Sequence, residues 1–225
     1  HYPFYALGIL YFRKDFPGYN PDKALQYFED CLSSIEEIAL RPESHIRFID
    51  VTVKLYGRLY DIYSKDEQFA LARKYLGETR RMKDLRYLYH PSADTDFSRC
   101  YSYEQEADLV LAEQGIEAAE AYYLTAVRHY QECCKKYPDR FVQRSLSVVY
   151  YRLAKNFKKA ENLEKYVYYT RLELEEDQRL YRLYPSAELL WDQGVIQEFL
   201  SDALRKLDPQ GTFEQRIEMQ KASIT

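Results

Sequence analysis

Glycine and proline are scarce in this chain, with 7 and 8 among 225 residues. Sandwiches and barrels of β-strands need many turns, and these two residue types mark most turns. The stretches between them are long mixtures of charged and apolar residues, as in residues 160 to 184, and such stretches suit helices of more than about five turns. The scarcity therefore excludes an all-β fold and predicts an all-α protein.

The sequence also lacks a charge excess of one sign. Its 32 basic and 36 acidic residues are intermixed and leave a net charge of −4, so no strongly basic field exists to release counterions from nucleic acid. No apolar run approaches the roughly 18 residues that cross a bilayer, and no signal-peptide pattern opens the chain. We expect neither a nucleic-acid nor a membrane partner, and a cytoplasmic location.

Motifs that carry chemistry are missing as well. The four cysteines are irregularly spaced, and the adjacent pair Cys133 and Cys134 cannot form a C-x-x-C clamp, which favours reduced structural thiols. Phosphate-binding loops, zinc motifs and nucleophile elbows are not found, and the four histidines lie far apart in sequence. We predict that the chain is not an enzyme and that it holds no cofactor and no metal.

Prolines mark a period instead. Pro42, Pro91, Pro138 and Pro185 are spaced by 49, 47 and 47 residues, and each follows a long amphipathic segment. A proline just past a helix end stops the helix, because the preceding residue is pushed out of the α region. Serines after three of these prolines, Ser44, Ser92 and Ser186, are predicted to cap the next helix.

A second column of residues keeps nearly the same step. Small residues recur at steps of 49, 50, 47 and 47, namely Gly8, Gly57, Ala107, Ala154 and Ser201. A bulky residue follows each of them one helical turn later: Tyr11, Tyr60, Val110, Phe157 and Leu204. The small residue is predicted to let a neighbouring helix approach closely, while the bulky one fills the groove beside it.

Together the two columns predict pairs of helices, a first helix A and a second helix B in each repeat. The predicted helices cover residues 3–14 and 22–40, 44–63 and 66–89, 102–113 and 116–136, 140–157 and 160–183, and 187–207. Residues 92–101 are polar and typical of a turn, so we expect a longer loop or a shortened helix A in the third repeat. The prediction is one repeat domain over residues 1–207, about four and a half pairs, with 208–225 as a tail or the truncated start of a further helix.

The segments Leu7-Gly8-Ile9-Leu10-Tyr11 and Tyr56-Gly57-Arg58-Leu59-Tyr60 resemble the first helix of the tetratricopeptide repeat. Proline after helix B matches that family too, although the unit here is 47 to 50 residues and not 34, with the extra length in helix B. Residues 121–157 resemble the long-helix variants of bacterial multidomain signalling and defence proteins. The resemblance covers residues 1–207 and implies a right-handed superhelical array, an α-solenoid, within a larger signalling or regulatory protein.

The resemblance also implies that helices A line a concave face and nominates residues at fixed offsets from each small residue. These are Lys54, Arg58 and Asp61 in the second repeat, Glu104, Asp108 and Leu111 in the third, and Tyr151, Lys155 and Lys158 in the fourth. The same offsets in the first repeat are more apolar: Tyr5, Ile9 and Phe12. Such a face would bind a peptide or a helix of another protein. The alternative is that these positions are ordinary solvated side chains.

Three further expectations concern residue clusters. The carboxylates Glu173, Glu175, Glu176 and Asp177 are interpreted as a solvated helix face, and so is the basic cluster Arg80, Arg81 and Lys83. Tyrosine is abundant, with 24 residues, and occurs in adjacent pairs. Because neighbours on a helix point about 100° apart, one tyrosine of each pair is expected in the core and the other on the surface.

The leading functional hypothesis is therefore a module that binds a protein or peptide partner on its concave face. The alternative is an architectural scaffold or homo-oligomer that associates with itself and has no peptide ligand. A third possibility, small-molecule sensing in the groove, requires a concave pocket with convergent polar groups.

Overall fold

The computed structural model describes residues 2–41 and 46–208. Within these residues the fold is all-α, as predicted, with nine helices and no strand. The helices are α1 (Tyr2–Phe12), α2 (Pro21–Ala39), α3 (Ile46–Lys65), α4 (Phe69–Tyr89), α5 (Ala93–Gln114), α6 (Ile116–Lys136), α7 (Arg140–Lys159), α8 (Leu163–Leu183) and α9 (Ala187–Leu207). The odd-numbered helices are the predicted helices A and the even-numbered ones the helices B. Ser44 and the tail after Asp208 lie outside the described residues.

Contacts divide the chain into two compact units, the first ending at Glu113 and the second beginning at Gln114. In the first unit, α1 packs on α2, α2 on α3, and α3 on α4. Ion pairs join α4 to α5 in antiparallel order, because late Arg86 meets early Asp94 at 2.9 Å while early Arg73 meets late Glu113 at 2.5 Å. In the second unit, α6 packs on α7, α7 on α8, and α8 on α9.

The end of helix B recurs in the structure every 47 residues. The backbone N–H groups of His90, Tyr137 and Tyr184 each donate to the carbonyl four residues earlier, at 2.9, 2.8 and 2.8 Å. A proline follows each of these residues and prevents the helix from continuing. The sequence period is therefore also a period of backbone geometry.

The start of the next helix A recurs with the same step. The side chains of Ser92, Asp139 and Ser186 each accept a hydrogen bond from a backbone N–H of the first turn, at 3.2, 2.8 and 3.3 Å. Such caps satisfy N–H groups that have no partner within the helix. The predicted caps Ser92 and Ser186 are confirmed, and Asp139 supplies the cap in the repeat where no serine follows the proline.

The turn from helix A to helix B is also repeated. Glu67 and Glu161, which lie 94 residues apart, adopt the left-handed region with φ of 57° and 59°. The next N–H groups, of Gln68 and Asn162, donate to the carbonyls of Tyr63 and Phe157 at 2.8 and 3.0 Å. A left-handed residue with this hydrogen bond is a common way to end a helix. The second and fourth repeats therefore turn in the same way.

The prediction of a shortened helix A in the third repeat is wrong. α5 begins at Ala93 and includes the polar stretch that was expected to be a loop. Ser92 and Thr95 cap the helix reciprocally, since each side-chain oxygen accepts from the backbone N–H of the other residue. Asp94 and Asp96 lie in the first turn, where the helix dipole favours negative charge. The polar residues are therefore a helix start.

The small-residue column packs closely at some positions only. A Cβ added to Gly8 would lie less than 3.0 Å from ring atoms of Phe28, and Ala107 and Ala154 are buried. At Gly57, by contrast, an added Cβ would meet no atom within 4 Å among the described residues. The packing role expected for Gly57 is therefore wrong.

The adjacent tyrosines divide as predicted. Tyr123, Tyr150 and Tyr169 are buried, whereas their neighbours Tyr122, Tyr151 and Tyr168 are exposed. Within the core of the second unit, the rings of Phe157 and Tyr169 stack with centroids 5.6 Å apart.

Over the described ranges, no helix is both long enough and apolar enough to cross a membrane.

Candidate functional site

A concave cavity of about 540 Å³ lies in the second unit between α7, α8 and α9. Helices α7 and α9 form its two rims, and α8 forms its base. The cavity follows α7 from Arg144 to Lys158, which is about 21 Å at 1.5 Å per residue. We call this cavity the α7–α9 groove.

One face of α8 supplies the base. Tyr166, Thr170, Glu173 and Asp177 recur at steps of four, three and four residues, so they lie on a single side of the helix. All four are buried, although three of them are polar. The Thr170 hydroxyl donates to the Tyr166 carbonyl at 2.7 Å, which satisfies it within α8. The two carboxyl groups distinguish this base from an ordinary packed interface.

Glu173 is the unusual member of the base. Its side chain is only 8% exposed, and among the described residues it has neither a hydrogen-bond donor nor a cation as a partner. Burial raises the pKa of Glu173 to about 8, and the carboxylates of Asp177 and Asp192 act in the same direction. Glu173 is therefore largely protonated at neutral pH, because ionisation would place an uncompensated charge at a buried position near other carboxylates.

Asp177 is buried beside it but has partners. Burial raises the pKa of Asp177, while a hydrogen bond from Ser147 and the positive charge of Arg144 oppose that effect. The Arg144 guanidinium also pairs with Asp192 of α9 at 3.3 Å. This end of the groove holds three carboxyl groups against one guanidinium, so it is acidic.

The opposite end is basic. Lys158 lies over the rings of Tyr166 and Phe199, at 5.2 and 5.3 Å from the ring centroids, and Lys155 lies over the Tyr151 ring at 5.5 Å. These ammonium groups therefore contact aromatic faces while remaining exposed to solvent. The groove changes from acidic to basic along its length.

Apolar side chains project from both rims. Val148 and Tyr151 on α7 and Trp191 and Phe199 on α9 are exposed, and the indole of Trp191 is 74% accessible. Large aromatic residues that remain accessible beside a concave surface are typical of sites that bind a protein segment. The arrangement can hold an apolar and a charged side chain of one ligand at the same time.

The structure brings together the three residues that the sequence nominated in the fourth repeat. Tyr151, Lys155 and Lys158 all line the α7–α9 groove. The nominated residues of the second repeat lie on α3, where Arg58 pairs with Asp61 at 3.6 Å, and Lys54 is exposed.

The third repeat departs from expectation. Glu104 is buried, so its carboxylate does not lie on an accessible face, and Asp108 and Leu111 are half-buried. In the first unit, the Tyr60 hydroxyl donates to the Gln105 carbonyl at 3.1 Å and lies near the charges of Asp61 and Asp108. We therefore remove Glu104 from the candidate site.

Several groove residues were not predicted from sequence. Glu173 and Asp177 were interpreted as part of a solvated face, and that interpretation is wrong because both are buried. Their spacing of four residues, in line with Tyr166 and Thr170, is the signal that places them on one face of α8. Trp191 and Phe199 of α9 were also missed.

The basic cluster on α4 was also interpreted as a solvated face, and one of its residues is buried. Lys83 is buried, and its ammonium donates to the Gln105 side-chain oxygen at 3.4 Å. Burial and the charges of Arg80 and Arg86 lower the pKa of Lys83 to about 8. Unlike Glu173, this buried ionisable group has a hydrogen-bond partner.

Comparison with known proteins assigns no family. The chain matches no protein-family model and no curated protein.

Proposed function

We propose that this chain is a protein–protein interaction module, built as a right-handed superhelical array of tetratricopeptide-like helix pairs, and that the α7–α9 groove binds a peptide or a helix of a partner. The single observation that carries the proposal is the groove, whose rims carry exposed aromatic residues above a partly charged base. The role is one of binding within a larger signalling or regulatory protein.

Contacts between equivalent helices support the proposed array of helix pairs. Side-chain contacts join equivalent helices about one period apart: Arg81 of α4 with Glu36 of α2, 45 residues away, and Arg144 of α7 with Asp192 of α9, 48 residues away. Arrays of helix pairs are stabilised by such contacts between neighbouring repeats. One continuous domain over residues 1–207 stays a prediction.

The length of the groove supports a peptide or a helix as the ligand. A length of about 21 Å along α7 accommodates about six residues of extended peptide or four turns of helix. Two aromatic side chains on opposite rims, Tyr151 and Trp191, would contact the ligand from both sides. Tyrosine and tryptophan are the residues that most often dominate the binding energy of such surfaces.

The test is a selection from a random peptide library of 12-residue sequences displayed on phage, with the purified chain as bait. Affinities of the enriched peptides are then measured by fluorescence anisotropy. We expect Trp191→Ala and Tyr151→Ala each to weaken binding by about tenfold or more, as for the central residues of other interfaces. Phe141→Ala is the matched control, because Phe141 is 77% exposed on α7 but does not line the groove.

Two results would contradict the proposal. Failure to enrich any peptide, or peptides whose affinity is unchanged by both groove variants, would remove the groove as a binding site. If light scattering also shows a dimer that persists on dilution and dissociates in Trp191→Ala, then the α9 rim is a self-association surface and the scaffold alternative replaces the proposal.

A further inference from the structure

We infer that the α7–α9 groove selects a partner segment carrying a lysine or arginine side chain, which binds to the carboxyl groups of Glu173 and Asp177. This inference rests on the proposed function, because it names the chemistry of the ligand that the groove takes. Its basis is a buried carboxyl group that has no partner among the residues that the structure describes.

Glu173 is the first observation. A buried polar group is normally hydrogen-bonded, since leaving it without a partner destabilises the fold. Glu173 lines the groove, is more than nine-tenths buried, and has no partner among the described residues. A leucine at this position would avoid the penalty. The carboxyl group is therefore placed to meet a group that arrives with the ligand.

The charges around Glu173 are the second observation. The titratable and charged residues that line the groove beside it are Tyr166 and Asp177 on α8, Arg144, Tyr151, Lys155 and Lys158 on α7, and Asp192 on α9. The cations are already engaged: Arg144 by Glu188 and Asp192, and the two lysines by aromatic rings. Asp177 lies near Arg144, which Glu188 and Asp192 already bind, and among the described residues Glu173 has no cation at all. The charge that complements these two carboxyl groups is therefore positive.

The rims are the third observation. A lysine or arginine side chain has a long apolar stem before its charged end. Tyr151 and Trp191 stand on opposite rims above the carboxyl groups and would contact this stem. Arginine would additionally present several N–H donors to two acceptors at once. The groove thus complements both parts of a basic side chain.

Proton release follows from this geometry. In the free protein Glu173 holds a proton at neutral pH, because its pKa is raised to about 8. A cation beside it favours the ionised form and lowers the pKa. Binding therefore releases a proton, and affinity rises as the pH rises from 6 to 8, then becomes constant while lysine and arginine stay charged.

The first experiment uses small probes and the whole chain. The Glu173 carboxyl carbon is titrated by ¹³C NMR alone, with N-acetyl-arginine amide, and with the uncharged N-acetyl-norleucine amide. We expect the arginine probe to lower the pKa of Glu173 by about one unit or more and the norleucine probe to leave it unchanged. Equal titration curves with the two probes would overturn the inference, whether or not the library yields a peptide.

The second experiment uses the enriched peptides. We expect each to contain a lysine or arginine whose replacement by methionine weakens binding about tenfold to the natural chain and little to Glu173→Gln. Glu175→Gln is the matched control, because Glu175 is exposed on the same helix outside the groove. Peptides that depend on Trp191 but not on a basic residue would overturn this inference and leave the proposed function standing.

Discussion

The Tyr169 hydroxyl donates a hydrogen bond of 2.5 Å to a carboxylate oxygen of Glu120, which lies 49 residues earlier in the chain. The other oxygen of the same carboxylate accepts from the Lys165 ammonium at 2.5 Å. Both donors are on α8 and the acceptor is on α6, so one carboxylate joins helix B of one repeat to helix B of the next. Burial and this hydrogen bond raise the pKa of Tyr169.

We expect Tyr169→Phe to lower the free energy of unfolding by about 1 to 2 kcal/mol, because it removes one hydrogen bond to a charged group and leaves the ring packed on Phe157. The measurement is urea denaturation followed by circular dichroism. Tyr168→Phe is the control, since that side chain is exposed, and it should change the free energy by less than about 0.5 kcal/mol. Equal losses in both variants would contradict a stabilising link to Glu120.

Alanine substitutions at two glycines of the repeat column should act in opposite directions. At Gly8 the added methyl group collides with the buried ring of Phe28, and we expect a loss of roughly 1 to 3 kcal/mol. At Gly57 the added group meets no described atom within 4 Å, and the higher helix propensity of alanine should stabilise the fold by up to about 1 kcal/mol. Thermal unfolding of both variants checks the signs, and destabilisation by Gly57→Ala would indicate a close contact there.

Glu173 should make stability depend on pH. Its pKa is about 8 in the folded protein and near 4.5 in an unfolded chain, so between these values the folded state binds more protons. The contribution of Glu173 to the free energy of unfolding therefore falls as the pH rises from 4.5 to 8, and it is constant outside that window. The penalty is absent below the unfolded pKa and complete above the folded one.

Glu173→Gln removes this penalty. We expect the variant to be more stable than the natural chain by about 2 kcal/mol at pH 8.5 and by little at pH 4.5, since one pKa unit corresponds to about 1.4 kcal/mol and relaxation reduces the full effect. Urea denaturation at the two pH values gives the difference, with Glu175→Gln as the exposed control. A pH-independent difference would contradict a raised pKa at Glu173.

The sequence predicted local features well, because they depend on nearby residues. Proline after helix B coincides with a helix end, and the serine directly after it, at Ser92 and Ser186, coincides with a helix start. The helix end and the capped helix start both recur every 47 residues, with Asp139 as the cap of α7. All helix bounds but one agree with the structure within three residues. The exception is the start of α5. The polar residues after Ser92 were interpreted as a loop, whereas Thr95 and its neighbours form the first turn of the helix that Ser92 caps.

Part of the groove was also accessible to sequence reasoning. The resemblance to the tetratricopeptide repeat nominated Tyr151, Lys155 and Lys158 at fixed offsets from Ala154, and they line one cavity in the structure. Glu104 occupies an equivalent offset from Ala107, yet it is buried. Equal positions in a repeat thus differ in exposure, because the helices that surround them carry different side chains.

By itself, the sequence determined that the chain is helical, where its helices turn and how often the pattern repeats, since periodicity, capping and proline act over one or two turns. Only the tertiary structure decided which polar residues of α8 are buried. Glu173 and Glu175 are two residues apart and chemically identical, but α7 and α9 cover one and leave the other in water. Exposure depends on helices distant in sequence, and burial by these helices raises the pKa of Glu173.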